Sequence, residues 1–152
     1  MKRTIFMGRI AILMAVLSIL IPGCSTANDP VVVIVNRNNP VEKLSENSLK
    51  KIYTNNVLTW PNGMPIIIYD LTIRDPLREV FSERILGRSS RSIAEHWAHL
   101  KITNQAKNPP RTVKDQSYMI RKVEHDRGAI GYVSMSSVMD NPNIKIERTI
   151  ET

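Results

Sequence analysis

The sequence is poor in several residue types that specialised sites need. One cysteine, Cys24, occurs among 152 residues, so the chain cannot form an internal disulfide. Glycines number six, and none of them forms the glycine-rich loop that cradles phosphate in nucleotide-binding proteins. No nucleophile–base pair and no paired carboxylates stand at a spacing that indicates catalysis. These absences predict a non-catalytic protein that uses no cofactor.

Acidic residues are outnumbered by basic ones, but part of the excess lies at the start of the chain. The whole chain has a formal charge of +7. Residues 1–23 carry three basic residues and no acidic one, so the remainder has 18 basic and 14 acidic residues and a net charge of +4. Such a surface favours anions or anionic lipid headgroups. Basic residues do not cluster between aromatic ones, and the sequence predicts no nucleic-acid partner.

The first 23 residues have the pattern of an export signal. Lys2, Arg3 and Arg9 give a positive beginning, and Ile10–Ile21 is apolar except for one serine. As a helix these 12 residues would extend about 18 Å, whereas a bilayer core is roughly 30 Å thick. A basic start, a short apolar run and small residues after it predict a secretory signal at residues 1–23.

The end of this segment resembles the lipobox of bacterial lipoproteins. Ile21-Pro22-Gly23-Cys24 places an apolar residue before the cysteine, although Pro22 replaces the usual small residue. The resemblance implies that Cys24 carries fatty acyl chains such as palmitate, and two or more chains suffice for a stable membrane anchor. Residues 24–30 would then be a tether, and the protein would lie at the cell envelope, facing the periplasm or the exterior. An uncleaved membrane anchor with an incidental thiol is the alternative.

The rest of the chain, residues 31–152, alternates predicted strands and helices. The predicted strands are Val31–Val35, Pro65–Tyr69, Ala129–Val133 and Ile144–Ile150, and helices are predicted to begin at Ser45, at Asp75-Pro76, at Ser90 or Ser92, and at Asp115. The first strand is continuously β-branched, as in strands buried on both faces. The last strand alternates apolar and polar residues, as edge strands do. This alternation predicts one layered α/β domain.

Three motifs in this domain resemble, in order, segments of phosphate-type periplasmic substrate-binding proteins. They are the run 47–56 followed by Trp60, the strand beginning at Pro65, and Gly128–Val133, which is similar to the family's G-x-I-G-Y-V strand. The chain is thereby identified as a short, single-lobe member of that superfamily. The resemblance implies a mixed sheet flanked by helices, a single lobe of the type II periplasmic-binding fold, and a membrane-anchored solute-binding role.

The phosphate-binding loop of that family is not reproduced. After the second strand the family has Arg, any residue, then Asp-Gly-Ser-Gly-Thr, and a helix start holds phosphate through backbone N–H groups. In the corresponding stretch here Asp75 would cap the helix with a carboxylate that repels an anion. Pro76 removes one N–H donor. The family's phosphate contacts therefore do not carry over residue by residue.

Thr72, Arg74 and Arg78 are the candidates for a different small-anion site in this stretch. The alternative interpretation makes Arg74 and Arg78 solvated surface charges and Asp75 a structural cap, and the sequence favours it. His96 and His99 lie three residues apart on a predicted helix, a spacing that metal ligands can have. No third ligand is evident, so a structural or surface role is favoured and no metal site is predicted.

Two functional hypotheses follow. The first is a lipid-anchored, non-catalytic binding module that engages a small oxyanion. The second is an interaction lipoprotein that keeps the lobe fold, has lost phosphate binding and engages a partner protein. A homodimer would place two lobes together and restore a cleft between them.

Overall fold

The computed structural model describes residues 29–151. The strands are β1 Val31–Asn36, β2 Ile67–Leu71, β3 Arg111–Val113, β4 Ala129–Ser134 and β5 Ile144–Ile150. The helices are α1 Glu46–Tyr53, α2 Pro76–Phe81, α3 Ser90–Ile102, α4 Gln116–His125 and α5 Met135–Val138, and a π-helical segment, Ser82–Leu86, continues α2. The predicted signal, Cys24 and most of the predicted tether lie outside the described residues.

The five strands form one mixed sheet in the order β3-β2-β4-β1-β5. Strand β1 is antiparallel to both of its neighbours, β4 and β5. Strand β2 is parallel to β3 and β4. The prediction of an α/β fold with a mixed sheet flanked by helices is confirmed.

The apolar run at the start of the domain lies in the interior of this sheet. Each residue from Val31 to Val35 has no exposed surface, which confirms a strand buried on both faces. Strand β5 is the edge strand that the alternating pattern predicts, with a register shift opposite Val33 and Ile34. Its final residue, Ile150, is buried against the core.

The second strand begins and ends two residues later than predicted. Pro65 does not belong to it but forms an isolated bridge with Thr59. The two bridging residues flank a turn in which the Trp60 N–H donates to the Met64 carbonyl at 2.8 Å. Regular pairing starts at Ile67, opposite Ala129 of β4. The correction matters because β2 extends to Asp70 and Leu71, which the prediction leaves in a loop.

The predicted helix starts are largely confirmed. The cap residues Ser45, Asp75 and Asp115 each accept a hydrogen bond from a backbone N–H of the first turn. Helix α3 begins at Ser90, one of the two predicted positions, and its cap is Ser89, which accepts from the Ser92 N–H at 3.2 Å. The hydroxyl of Ser90 instead donates to the Glu79 carboxylate. Gly87 ends the π-helical segment in a left-handed conformation with φ 69°, as a terminal glycine does.

Strand β3 and helix α5 are absent from the sequence-based prediction. Strand β3 has three residues, too few for an alternating pattern, and it exists because it pairs with β2. Helix α5 is one turn long, and its first N–H, from Met135, donates to the Pro30 carbonyl at 2.9 Å. Asp29 accepts a hydrogen bond from the Ser136 N–H at 3.0 Å. The last two residues of the predicted tether are therefore attached to the fold.

Three aromatic rings fill the space between the sheet and the helices α1 and α2. Phe81 stacks on Tyr132 with ring centroids 4.0 Å apart, and Tyr53 is tilted against Phe81 at 4.8 Å. All three are almost completely buried. In residues 29–151, no helix has the length and apolarity that crossing a membrane requires.

Candidate functional site

Backbone N–H groups of the loop between β2 and α2 donate to acceptors within the same loop. The Asp75 N–H donates to the Thr72 carbonyl at 3.0 Å, which closes a tight turn. The Asp75 carboxylate accepts from the Leu77 N–H at 2.9 Å, and the Arg78 N–H donates to the Asp75 carbonyl at 3.1 Å. Pro76, the first helical residue, has no N–H to offer. The helix start that holds an anion in other proteins is thus internally satisfied.

The three predicted anion contacts are divided between two environments. Thr72 is half-buried and Arg74 is exposed on the turn. Arg78 is 7% exposed and lies inside the fold. The structure therefore does not place Arg78 with Arg74 on the surface of the turn.

The interpretation of Arg78 as a solvated surface charge is wrong. Its guanidinium forms a salt bridge with Asp70, with Nη2 and Oδ2 2.8 Å apart, and its Nη1 donates to the Leu71 carbonyl at 2.8 Å. Both partners belong to the end of β2. Seven or eight residues separate them from Arg78 in the chain, and the β2–α2 turn brings them together. The helical spacing of residues cannot predict these contacts, because both partners of Arg78 lie on a strand.

Asp70 is the centre of a buried polar cluster. The Tyr132 hydroxyl donates to its Oδ1, while the salt bridge from Arg78 occupies Oδ2. Burial raises the pKa of Asp70, and the positive charge of Arg78 and the hydrogen bond from Tyr132 oppose that rise. Burial and the nearby Asp70 charge raise the pKa of Tyr132 well above its ordinary value. The cluster joins β2, β4 and α2.

A cavity of about 220 Å³ adjoins this cluster on the side covered by α3. Asp70 and Arg78 form part of its wall, and Trp97, Lys101 and Thr112 form other parts. Neither Trp97 nor Lys101 is a candidate on sequence grounds. The only sequence signal is their spacing of four residues, which places them on one face of α3.

The two histidines of α3 do not assemble a metal site. His96 is half-buried and lines a wide cleft of about 830 Å³ between α1 and α3, together with Lys50, Arg88 and Lys107. His99 is exposed. Within the described part of the chain, no three histidine, cysteine or carboxylate side chains converge.

The motifs that carry the family resemblance meet in space. The indole Nε1 of Trp60 donates to the Gly128 carbonyl at 2.9 Å, and the Ile67 N–H donates to the same oxygen at 2.9 Å. A Cβ on Gly128 would lie 2.3 Å from the Pro65 carbonyl oxygen. The turn, the second strand and the glycine motif are therefore interdependent.

A family model described as a PBP superfamily domain matches residues 25–151. The protein belongs to the PBP superfamily. No curated protein matches it significantly. The motif order thus identified the superfamily correctly, although the characteristic phosphate loop is missing.

The fold of this PBP domain is similar to that of several transport receptors of known structure. An ABC-type phosphate transport receptor from Vibrio cholerae superimposes with a TM-score of 0.62 at 21% identity, covering 79% of this chain and 46% of the receptor. A proposed phosphate ABC transporter substrate-binding protein from Clostridium perfringens, solved with bound phosphate, gives 0.62 at 22% identity, covering 79% and 44%. PstS from Borrelia burgdorferi gives 0.59 at 14% identity, covering 76% and 46%.

These likenesses concern the fold, because the identities are low. The PBP domain described here spans less than half the length of each of these three proteins. The family and the fold are thereby assigned, and the ligand has to be argued from the residues of this chain.

Proposed function

We propose that this protein is an exported, lipid-anchored, non-catalytic binding module that takes up a small anion at the cell envelope. Membership of the PBP superfamily is the observation that carries the proposal. The fold likeness to phosphate receptors, one of them with phosphate bound, supports a solute-binding role. The net charge of +4 after residue 23 favours an anionic solute.

The export signal at residues 1–23 and lipidation at Cys24 supply the location in this proposal. A lipid anchor would hold the domain next to a membrane, facing the periplasm or the exterior, where a transport receptor encounters its solute. The attachment of Asp29 to the start of α5 leaves only a few residues between Cys24 and the fold. A short connection favours a domain held close to the membrane surface.

Thr72, Arg74 and Arg78 remain the proposed anion contacts from the sequence, with unequal support. Arg78 has a preorganised guanidinium, because Asp70 and the Leu71 carbonyl hold two of its nitrogens. Thr72 and Arg74 lie at the turn, where the Asp75 carboxylate weakens the local attraction for anions. Arg78 is therefore the best ordered of the three, with its charge balanced by Asp70.

Isothermal titration calorimetry of the full chain tests the proposal with phosphate, sulfate and small carboxylates. We expect saturable heat with at least one of these anions. Thr72→Val and Arg74→Ala determine whether the turn contributes, and Lys43→Ala serves as a matched surface control. Absence of saturable heat with the whole set would refute a solute-binding role.

The second candidate function is an interaction lipoprotein. The satisfied helix start at Asp75 and Pro76 favours it, because this is where phosphate would bind in relatives with the glycine-rich loop. Sedimentation equilibrium tests one form of it, a homodimer that joins two lobes. A concentration-dependent dimer would favour the two-lobe arrangement. A monomer that binds no anion would instead favour a partner protein at the surface around Asp75 and Pro76.

A further inference from the structure

The cavity beneath α3 is built from elements that are distant in the chain. Asp70 of β2 and Thr112 of β3 are paired in parallel register, so they lie side by side at this edge of the sheet. Trp97 and Lys101 of α3 and Pro110 also line the cavity. The cavity measures about 220 Å³. It is separate from the exposed turn that carries Arg74.

Two buried hydrogen-bond donors in this wall lack partners. The Nε of Arg78 and the Nε1 of Trp97 are inaccessible to water and have no acceptor within the described residues. The two residues are 7% and 5% exposed. Buried donors are paired in the great majority of native structures, so an unpaired one requires a physical explanation. Both belong to side chains that line the same cavity, so an acceptor bound there would pair with them only once these side chains rotate.

The charges around the cavity leave one cation free. Arg78 and Asp70 neutralise each other at 2.8 Å. Lys101 forms no ion pair with any carboxylate in residues 29–151. The Asp70 carboxylate is already engaged by Arg78 and by the Tyr132 hydroxyl. Among residues 29–151, the wall of the cavity therefore has one charged side chain without an ion-pair partner, the exposed Lys101, which suits a monovalent anion.

The shape of the cavity selects among monovalent anions. Its volume is below the range of about 300–1,000 Å³ that is common for larger ligands, but it exceeds the space that one tetrahedral oxyanion fills. Trp97, Pro110 and alanines of α3 supply apolar wall beside the polar groups. An anion with a charged end and a small apolar body uses both kinds of wall.

We propose that the cavity formed by Arg78, Trp97 and Lys101 binds a small organic monocarboxylate. The carboxylate would lie toward Lys101 and accept from the Trp97 indole and the Arg78 guanidinium after a small adjustment of these side chains. The apolar body would contact the indole ring and Pro110. This inference rests on the proposed solute-binding function and names its ligand class and its site.

Calorimetry with the full chain tests the site, using benzoate as the probe, benzamide as its uncharged counterpart and inorganic phosphate as the tetrahedral anion. We expect saturable benzoate binding and little heat with benzamide. Lys101→Gln should weaken benzoate binding about tenfold or more, as expected for a lost hydrogen bond to a charged group. Lys101→Arg should retain most of it, and Lys107→Gln, which makes the same charge change elsewhere on the surface, should have little effect.

The Trp97 indole N–H signal in a proton–nitrogen correlation spectrum gives an independent measurement. The chain has two tryptophans, so Trp60→Phe assigns the Trp97 signal. Benzoate should shift this signal, and Trp97→Phe should weaken binding while it retains a ring in the wall.

The outcomes separate this inference from the proposed function. If benzoate does not bind, or if it binds equally to the wild-type and Lys101→Gln proteins, the cavity assignment is wrong. If phosphate binds, Thr72→Val or Arg74→Ala weakens it, and benzoate does not bind, the proposed function holds and the cavity assignment is refuted. If no small anion binds, both are refuted.

Discussion

The indole Nε1 of Trp60 donates to the Gly128 carbonyl oxygen at 2.9 Å, across 68 residues of chain. The Ile67 N–H donates to the same oxygen as β2 begins beside β4. One backbone oxygen thus joins the turn before β2 to the turn before β4. Because Gly128 lies at this junction, a single added carbon at this position should lower the stability of the fold.

Gly128→Ala is expected to destabilise the protein. The new Cβ would lie 2.3 Å from the backbone oxygen of Pro65, and backbone cannot rotate away as a side chain can. We expect a loss of about 1–3 kcal/mol in the free energy of unfolding, the usual cost of overpacking. Urea denaturation measures it.

Gly131→Ala is the matched control for that substitution. Its Cβ would lie 2.6 Å from Sδ and 2.9 Å from Cγ of Met119, a buried side chain that can rotate in part, whereas backbone cannot. The loss should be smaller than for Gly128→Ala. Equal stability of the Gly128→Ala and wild-type proteins would contradict the close contact with Pro65.

Arg78→Met should be among the most destabilising single substitutions in the domain. It leaves the Asp70 carboxylate buried without its cation, and removing one partner of a buried pair costs about 3–5 kcal/mol. Arg74→Met, at an exposed position in the same loop, should change stability little. The double variant Asp70→Asn/Arg78→Met should recover part of the loss, and no recovery would show that the pair does not account for the effect.

The Arg78→Met deficit should depend on pH. Burial raises the pKa of Asp70 in the folded state, and Arg78 opposes this rise, so its removal raises the pKa further. A carboxyl whose pKa is higher in the folded state than in the unfolded state binds protons more readily when folded. The free energy of unfolding therefore falls as pH increases from the unfolded-state pKa to the folded-state pKa. The deficit should therefore shrink as pH is lowered from neutrality toward the unfolded-state value. A deficit independent of pH would exclude Asp70 as its source.

Asp126→Asn should lower the pKa of Tyr69. The Tyr69 hydroxyl donates to Asp126 Oδ2 at 2.6 Å. Burial, followed by the hydrogen bond and the charge of Asp126, raises the pKa of Tyr69 to about 12. Because this value exceeds the ordinary value of 10.0, the associated stability is complete below pH 10 and is lost as pH rises toward 12. Ultraviolet titration of phenolate should show this tyrosine ionising at lower pH in the variant.

Tyr69→Phe provides the control for that titration. It should remove the affected transition altogether and leave the other tyrosines unchanged. If the titration curve of Asp126→Asn is identical to that of the wild type, the hydrogen bond to Asp126 does not raise the pKa of Tyr69.

Cys24→Ala should prevent lipid attachment. In bacteria fed a labelled fatty acid, the wild-type chain should incorporate the label and the variant should not, and the variant should leave the membrane fraction or accumulate as an uncut precursor. Ser25→Ala changes the next residue without removing the thiol and should behave as wild type. Label on the Cys24→Ala chain would refute the assignment.

Local pattern was sufficient for much of the fold. Strand β1 follows from five consecutive β-branched residues, and the starts of α1, α2 and α4 follow from cap residues whose partners are at most three positions away. The order of the three motifs also identified the superfamily. Strand β3 could not be predicted in this way, since three residues become a strand only when β2 lies beside them.

The candidate site was only partly predictable. The sequence makes Arg78 a candidate but favours a solvated charge, because neighbours at helical spacing do not reveal a partner on a preceding strand. Trp97 and Lys101 were not recognised as site residues at all. Their place in the cavity wall depends on how α3 packs against the β2–β3 edge, which no spacing in the chain specifies.

The sequence by itself predicts an export signal that ends before Cys24, and it determined the alternation of strands and helices and the absence of the glycine-rich phosphate loop. These properties depend on residues near one another in the chain. Only the tertiary structure decided that Arg78 pairs with Asp70, and that two residues lining one cavity each hold a buried donor without an acceptor among residues 29–151. Burial excludes water from these groups, and which groups then meet depends on packing between elements that are distant in sequence.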